Sequence, residues 1–324
     1  MDSEKVIKRD NEYVLHTYAR NPIVLEKGHG LYAEGPEGQK YLDFTSGIGV
    51  NSLGYCDMTW AEAVSEQAHK LQHTSNLYYT APCGKLAKKL CKRTGMSKVF
   101  FGNSGAEANE ACIKLARRYM RTVKQRDAYE IITLGGCFHG RTLGALAATG
   151  RESLSKGFTP LPEGFKQVPA GDLEALRAAI TPATAAVLVE VVQGEGGVVP
   201  LPADYLHGVQ ALCREKNVLF LCDEVQAGLC RTGKFWAFQN YNLQPDAISM
   251  AKSLANGLPM GAMLATDEMA RGFEAGSHAT TFGGGRQNRG NHAARPSGRT
   301  RGRSGRARQG RTGGPATAPA RENP

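Results

Sequence analysis

Short, uninterrupted apolar runs set the rhythm of this chain. Residues 218–222 read Val-Leu-Phe-Leu-Cys and end at Asp223; a run without polar breaks predicts a strand buried on both faces, as in a parallel sheet. Residues 247–250, Ala-Ile-Ser-Met, predict a second such strand, and Lys252 follows two positions later. Further strands are expected at 98–101, 129–134 and 184–190. Helical spacing takes over between them. Ala108, Cys112, Leu115, Ala116 and Tyr119 mark one apolar face, and residues 60–72, 84–94 and 203–216 also read as helices. Strands alternating with helices predict an α/β architecture around a mostly parallel sheet. Residues 15–51 break the rhythm: β-type residues interrupted by Gly28, Gly30, Gly35 and Gly38 suit a small lobe of hairpins. Residues 261–273 predict a last strand and a short helix.

Composition changes this picture at one end only. The 324 residues are enough for a large core and two lobes. The formal net charge is +10, but residues 285–324 hold ten Arg, no Lys and the single acid Glu322, which is +9 of that total. The body is therefore close to neutral. The basic segment has no Val, Ile, Leu, Met, Cys or aromatic residue, so it cannot bury a core and is expected to be disordered. An Arg/Gly-rich nucleic-acid arm is one reading of it. Against that reading, no aromatic residues are interleaved for stacking, and its cations are Arg alone, whereas the body carries seventeen Lys and thirteen Arg. A frame change in GC-rich coding sequence accounts for such a switch, and nucleic acid is not an expected partner. No apolar run is long enough to span a bilayer. The opening MDSEKVIKRDNEY has no apolar core of a signal peptide, so a cytoplasmic enzyme is expected. The eight cysteines form no CxxC pair and read as free thiols, with no metal framework.

Candidate chemistry gathers where the apolar runs stop. Asp223 and Lys252 each follow a buried strand, at the sheet edge where open α/β folds bind ligands. A partly desolvated amine there can form a Schiff base, and a nearby carboxylate can keep a pyridinium nitrogen protonated. Gln226 is placed to hydrogen-bond a phenolic oxygen on the same ring. A structural ion pair between Asp223 and Lys252 is the plain alternative. The junction Asn-Ser-Gly-Ala after the strand at 98–101 puts Ser104, Gly105 and Ala106 at a helix N-terminus, which favours an anion; an ordinary cap by Asn103 or Ser104 fits equally. In Gly-Gly-Cys-Phe-His-Gly-Arg-Thr, Phe138 can stack on a flat ring or pack in the core. Arg141 offers a fork for a carboxylate or a surface ion pair. His139 reads as structural, with no partner in view. Glu190 and Glu195 bracket a glycine turn at the same edge.

Taken together, the 218–259 stretch, the DEVQ turn, the RTG loop, PDAISMAK, NGLPMGA and NSGAEANE resemble the class III, pyridoxal-phosphate-dependent aminotransferases over residues 10–284. The resemblance implies a type I PLP-transferase fold with a mostly parallel seven-stranded sheet. Residues 1–55 would be the N-terminal part of a small domain, 56–284 the large cofactor-binding domain, and 285–324 a tail in place of the rest of the small domain. It implies pyridoxal 5′-phosphate anchored by Lys252 and paired at its ring nitrogen with Asp223. The DEVQ residues Glu224, Val225 and Gln226 would lie at the cofactor, with Phe138 covering one face. Ser104, Gly105, Ala106 and a neighbouring subunit's Thr281 would hold its phosphate, which makes the enzyme a homodimer with shared sites. Arg141 would take a substrate carboxylate, with Tyr18, Thr280 and Glu195 also on the substrate side. Within the class, HTSNLYYT, FTSGIGVN and TYARNPIV resemble the acetylornithine aminotransferase branch, and an apolar Ile48 suits an N-acylated substrate. The implied reaction is ping-pong transfer of an amine from N2-acetylornithine to 2-oxoglutarate in arginine biosynthesis, with succinyldiaminopimelate as a second substrate. Two departures stand out. YCDMTW replaces a His-Cys-His-Pro, and SLANG lacks glycines usual after the anchoring lysine. Loss of the C-terminal domain implies a poorly soluble or weakly active chain, and the alternative reading is an inactive fragment.

Overall fold

The computed structural model describes residues 2–283; the basic segment 285–324, expected to be disordered, lies outside them. The chain opens with an exposed helix, Ser3–Tyr13, capped by Asp2, whose side chain accepts the Glu4 N–H. The small lobe follows as an antiparallel sheet of β1 (Lys27–His29), β2 (Tyr32–Glu34) and β3 (Lys40–Leu42).

The main sheet holds seven strands: β4 (Lys98–Gly102), β5 (Glu130–Leu134), β6 (Phe165–Val168), β7 (Thr184–Val189), β10 (Leu219–Asp223), β11 (Ala247–Met250) and β12 (Gly261–Ala265). A two-residue pair, β8 (Val192–Gln193) and β9 (Val199–Pro200), sits apart from it. The order across the sheet is β4-β12-β11-β10-β7-β5-β6. Only β12 runs against its neighbours. The reason is local. A parallel return needs a crossover of about a dozen residues or more, and only residues 251–260 link β11 to β12. The chain must turn back at once, and Lys252 lies in that turn.

The apolar runs predicted as buried strands are buried on both faces. Along β10, Leu219 and Leu221 pack with Leu188, Ile131, Met263 and the helix Gly105–Thr122 on one side. Phe220 and Cys222 pack with Val187, Val189, Ile248 and Trp236 on the other. The parallel strands β5, β7, β10 and β11 therefore bring their C-terminal ends to one edge. The N-terminus of the helix Gly105–Thr122 comes to the same edge, because β4 ends there. Close backbone approach is needed at that point: a Cβ on Gly261 would lie 2.0 Å from the Ser104 carbonyl oxygen. Among the described residues no helix is long and apolar enough to cross a membrane.

Leu188 is fully buried at the centre of the sheet. Leu188→Ala is expected to cost about 2–5 kcal/mol of stability, read as a lowered urea midpoint with little change in slope.

Candidate active site

The carboxylate of Asp223 ends β10 and is buried. Its Oδ2 accepts from Asn109 Nδ2 at 2.7 Å and lies 2.8 Å from His139 Nδ1, while Oδ1 accepts the Val225 N–H at 2.9 Å. Asn109 comes from the apolar face of the helix Gly105–Thr122 and also donates to the His139 carbonyl at 2.7 Å. His139, expected to have no partner, is thus the ion-pair partner of Asp223. Burial pulls the imidazole toward its neutral form, but the adjoining Cys137 sulfur and the Asp223 carboxylate outweigh it. The His139 pKa is held well above its ordinary value.

Lys252 follows β11 in a left-handed backbone conformation, φ 47°. That costs a non-glycine residue on the order of 1–3 kcal/mol and persists only where the surroundings enforce it. Burial draws the Lys252 pKa down; Glu195, Asp223 and Glu190 pull the other way without reversing it.

A third element completes the edge. Ser104 caps the helix Gly105–Thr122 by accepting the Glu107 N–H at 3.1 Å. The cap reading is therefore correct for its side chain, and the N–H groups of the first turn remain available to an anion, as at any helix start. Phe138 is half-buried, and its N–H is donated to Glu190 Oε2 at 2.9 Å. The Arg141 guanidinium is exposed, 5.9 Å from the Phe138 ring centroid.

These groups meet in one cavity of about 440 Å³. Among the residues singled out from sequence, Ser104, Gly105, Ala106, Phe138, Arg141, Asp223, Val225, Gln226 and Lys252 line it, joined by Asn109 and His139. Five do not line it. Glu224 turns its carboxyl into the core, where it accepts the Ala237 and Phe238 N–H groups at 2.7 and 2.8 Å, starting the 3-10 helix Ala237–Tyr241. Burial pushes its pKa up to about 8. Glu195 is exposed at the cavity margin and meets Gln226 at 3.4 Å. Tyr18 is 73% exposed, with the Arg20 guanidinium over its ring. Thr280 Oγ1 accepts from Asn103 at 3.0 Å, and Thr281 is exposed. Sequence reasoning overlooked Asn109 and read His139 as structural, without a partner. The available signal was an amide on an otherwise apolar helical face. Among the described residues no cluster of three His, Cys, Asp or Glu side chains is placed to hold a metal ion.

Three features of the cavity fit a flat, phosphorylated, cationic ring. A helix N-terminus faces one part and a buried carboxylate another, while His139 Nε2 and Asn109 Oδ1 are buried without partners. A side chain at Gly105 would close the space, since its Cβ would lie 2.7 Å from Val225 Cγ1.

Known proteins resemble this chain in sequence and in fold. The family model described as Aminotransferase class-III matches residues 13–287. The acetylornithine aminotransferase of Methanocaldococcus jannaschii is 49% identical over 284 residues, which span 88% of this chain and 71% of that protein. A structure of ornithine aminotransferase from Toxoplasma gondii, described as having partial occupancy of PLP at its active site, superposes with a TM-score of 0.85 at 32% identity, covering 90% of this chain and 69% of that one. An acetylornithine aminotransferase structure from Elizabethkingia anophelis gives 0.79 at 34% identity, covering 91% and 72%.

The depressed pKa of Lys252 makes stability depend on pH. Below its folded pKa the amine is charged in both states and the cost of burying the cation is felt in full. That cost disappears as pH rises toward the ordinary lysine value of 10.5. In cofactor-free protein, Lys252→Met is expected to raise the urea midpoint near neutral pH, by a margin that narrows as pH climbs. A margin independent of pH would contradict this.

Proposed function

Because the chain belongs to the class-III aminotransferases, we propose that it transfers the δ-amino group of N2-acetylornithine to 2-oxoglutarate. It is a transaminase whose cofactor is pyridoxal 5′-phosphate, and the acetylornithine aminotransferases that it resembles place it in arginine biosynthesis. The observation that carries the substrate reading is the 49% identity to an acetylornithine aminotransferase across 88% of the chain. It is joined to a cavity that holds Lys252, Asp223 and a helix N-terminus together.

When bound, the cofactor supplies an electron sink for the carbon that loses a proton. This chain's residues supply the rest. Burial of Lys252 enlarges the share of unprotonated Nζ, so the amine can act as nucleophile and can hold and return a proton. Asp223 would offer its carboxylate to a protonated ring nitrogen, and Asn109 and His139 fix its orientation. The N–H groups at Ser104, Gly105 and Ala106 suit a phosphate, and the Phe138 ring suits one face of a planar group. Arg141 lines the same cavity and would take a substrate carboxylate. Glu195 and Gln226 stand together at the margin.

A homodimer is part of this reading. Leu77, Tyr78 and Tyr79 are 86%, 70% and 106% exposed, an apolar surface of the kind that a second copy covers. Thr281 would reach across that contact to the partner's cofactor phosphate, with Thr280 and Tyr18 on the substrate side. We assign residues 1–55 to a small domain and 56–284 to the cofactor-binding domain. The eight free thiols favour a reducing, cytoplasmic setting. The family match enters the basic segment by three residues and stops at 287, and we read 285–324 as foreign to the family, with no part in catalysis.

The test is direct. With pyridoxal 5′-phosphate added, the chain is expected to form glutamate from N2-acetylornithine and 2-oxoglutarate. Lys252→Ala should reduce the rate by at least about 10²-fold. Equal glutamate formation by the variant would overturn the assignment of Lys252. Failure of N2-acetylornithine where ornithine or succinyldiaminopimelate succeeds would overturn the choice of substrate.

A further inference from the structure

We propose that Ser253 is a positioning residue. It closes a directed hydrogen-bond chain, Arg231 to Ser52 to Ser253 to the Gly49 carbonyl, that fixes the 46–53 segment as a wall against the Lys252 loop. The inference rests on the reading of Lys252 as the reactive amine.

The direction follows from counting protons. Ser253 Oγ donates to the Gly49 carbonyl at 2.8 Å. A hydroxyl has one proton, so at the 2.5 Å contact between Ser52 and Ser253 the donor is Ser52. With its own proton so used, Ser52 Oγ accepts from Arg231 Nη2 at 3.1 Å. A guanidinium heads the chain and a carbonyl ends it, an order in which each bond polarises the next. Two further bonds cross the same gap. The Leu53 N–H donates to Asn256 Oδ1 at 3.0 Å, and Trp60 Nε1 donates to the Ala255 carbonyl at 3.1 Å.

Both sides of this contact are strained. Lys252 and Asn256 are left-handed, at φ 47° and 48°. Opposite them Ser46, Gly47, Ile48 and Gly49 are left-handed in succession, at φ 50°, 60°, 63° and 74°. A β-branched residue such as Ile48 does not keep that conformation without outside support. The turn's own bonds, from the Val50 and Asn51 N–H groups to the Ser46 carbonyl at 2.8 Å, supply part of it, and the polar contacts between the two segments anchor the turn against the Lys252 loop. Their consequence reaches the amine, because an added Cβ on Gly49 would lie 4.0 Å from Lys252 Cδ and Val50 lines the cavity. The backbone at 49–50 thus limits where the lysine stem can go.

The experiment uses cofactor-loaded protein with Ser253→Ala, Ser52→Ala, the double variant and Ser253→Thr. Amide hydrogen exchange over residues 46–53 is expected to quicken roughly three- to tenfold in either alanine variant. The double variant should add little, because cutting either link breaks one chain. Ser253→Thr keeps the hydroxyl and should restore protection. Turnover should follow the same order through kcat, with KM for the amino donor held within about twofold. Unchanged exchange at 46–53 in both single variants, or additive effects in the double, would overturn the proposal. Because Ser52 and Ser253 lie on different segments, a folding failure of one variant leaves the other to decide. Exchange also separates this inference from the substrate assignment. A parent chain that is inactive on N2-acetylornithine but shows the coupled protection sinks only the assignment. An active parent without coupling sinks only the chain of bonds.

Discussion

A buried carboxylate has to be satisfied or neutralised, and at Asp223 that requirement organises the sheet edge. Desolvating such a group without partners is prohibitive. Asn109, His139 and the Val225 N–H meet the need from three separate stretches of chain. Each partner is itself buried or backbone, so the carboxylate has little freedom to turn. The two side chains that hold it each keep one buried polar atom without a partner, Asn109 Oδ1 and His139 Nε2. The network is closed around Asp223 and open beyond it.

Two more acids are buried beside it, and their protonation limits the charge at this edge. Glu190 and Glu224 both accept backbone N–H groups, yet burial and the proximity of Asp223 raise them to about 7 and about 8. At neutral pH a large share of each is therefore uncharged. His139, with its raised proton affinity, and Lys252 balance what negative charge remains. The position of Glu224 also follows from backbone geometry. In extended chain adjacent side chains point to opposite faces, so with Asp223 facing the cavity its neighbour is turned inward, onto the start of the helix Ala237–Tyr241.

Much of this was legible in the sequence, for reasons that differ by element. The runs at 218–222 and 247–250 had to be buried strands because nothing in them tolerates water, and β10 and β11 fall on them within a residue. Lys252 and Asp223 were visible because they follow on those runs. The helix Ser3–Tyr13 was not visible; it buries no residue, so it leaves no apolar period to read. The four-residue strand β6 sits at the sheet margin, with only one fully buried residue. His139 was misread because its partner Asp223 is 84 positions away, and only the fold brings the two together. Tyr18, Thr280 and Thr281 lie off the cavity of a single copy, and no local pattern could have said so. Seven strands, mostly parallel, were expected from resemblance, whereas the reversed β12 follows from the shortness of the 251–260 link.

That short link has a further consequence. A long crossover after β11 would place a helix over the sheet and leave the residue at the strand end in relaxed extended backbone. The tight return instead forces Lys252 to positive φ and leaves residues 251–257 with little internal hydrogen bonding, only the short 3-10 turn Lys252–Leu254. Such a loop cannot hold one conformation alone, since its strain is not offset by contacts of its own. It borrows order from the 46–53 segment, which is also left-handed but carries turn bonds of its own, from the Val50 and Asn51 N–H groups to the Ser46 carbonyl and from the Ser52 N–H to the Val50 carbonyl. The Lys252 loop is therefore held by residues some 200 positions upstream as well as by the strand that carries it, through the Ser52–Ser253 and Leu53–Asn256 bonds.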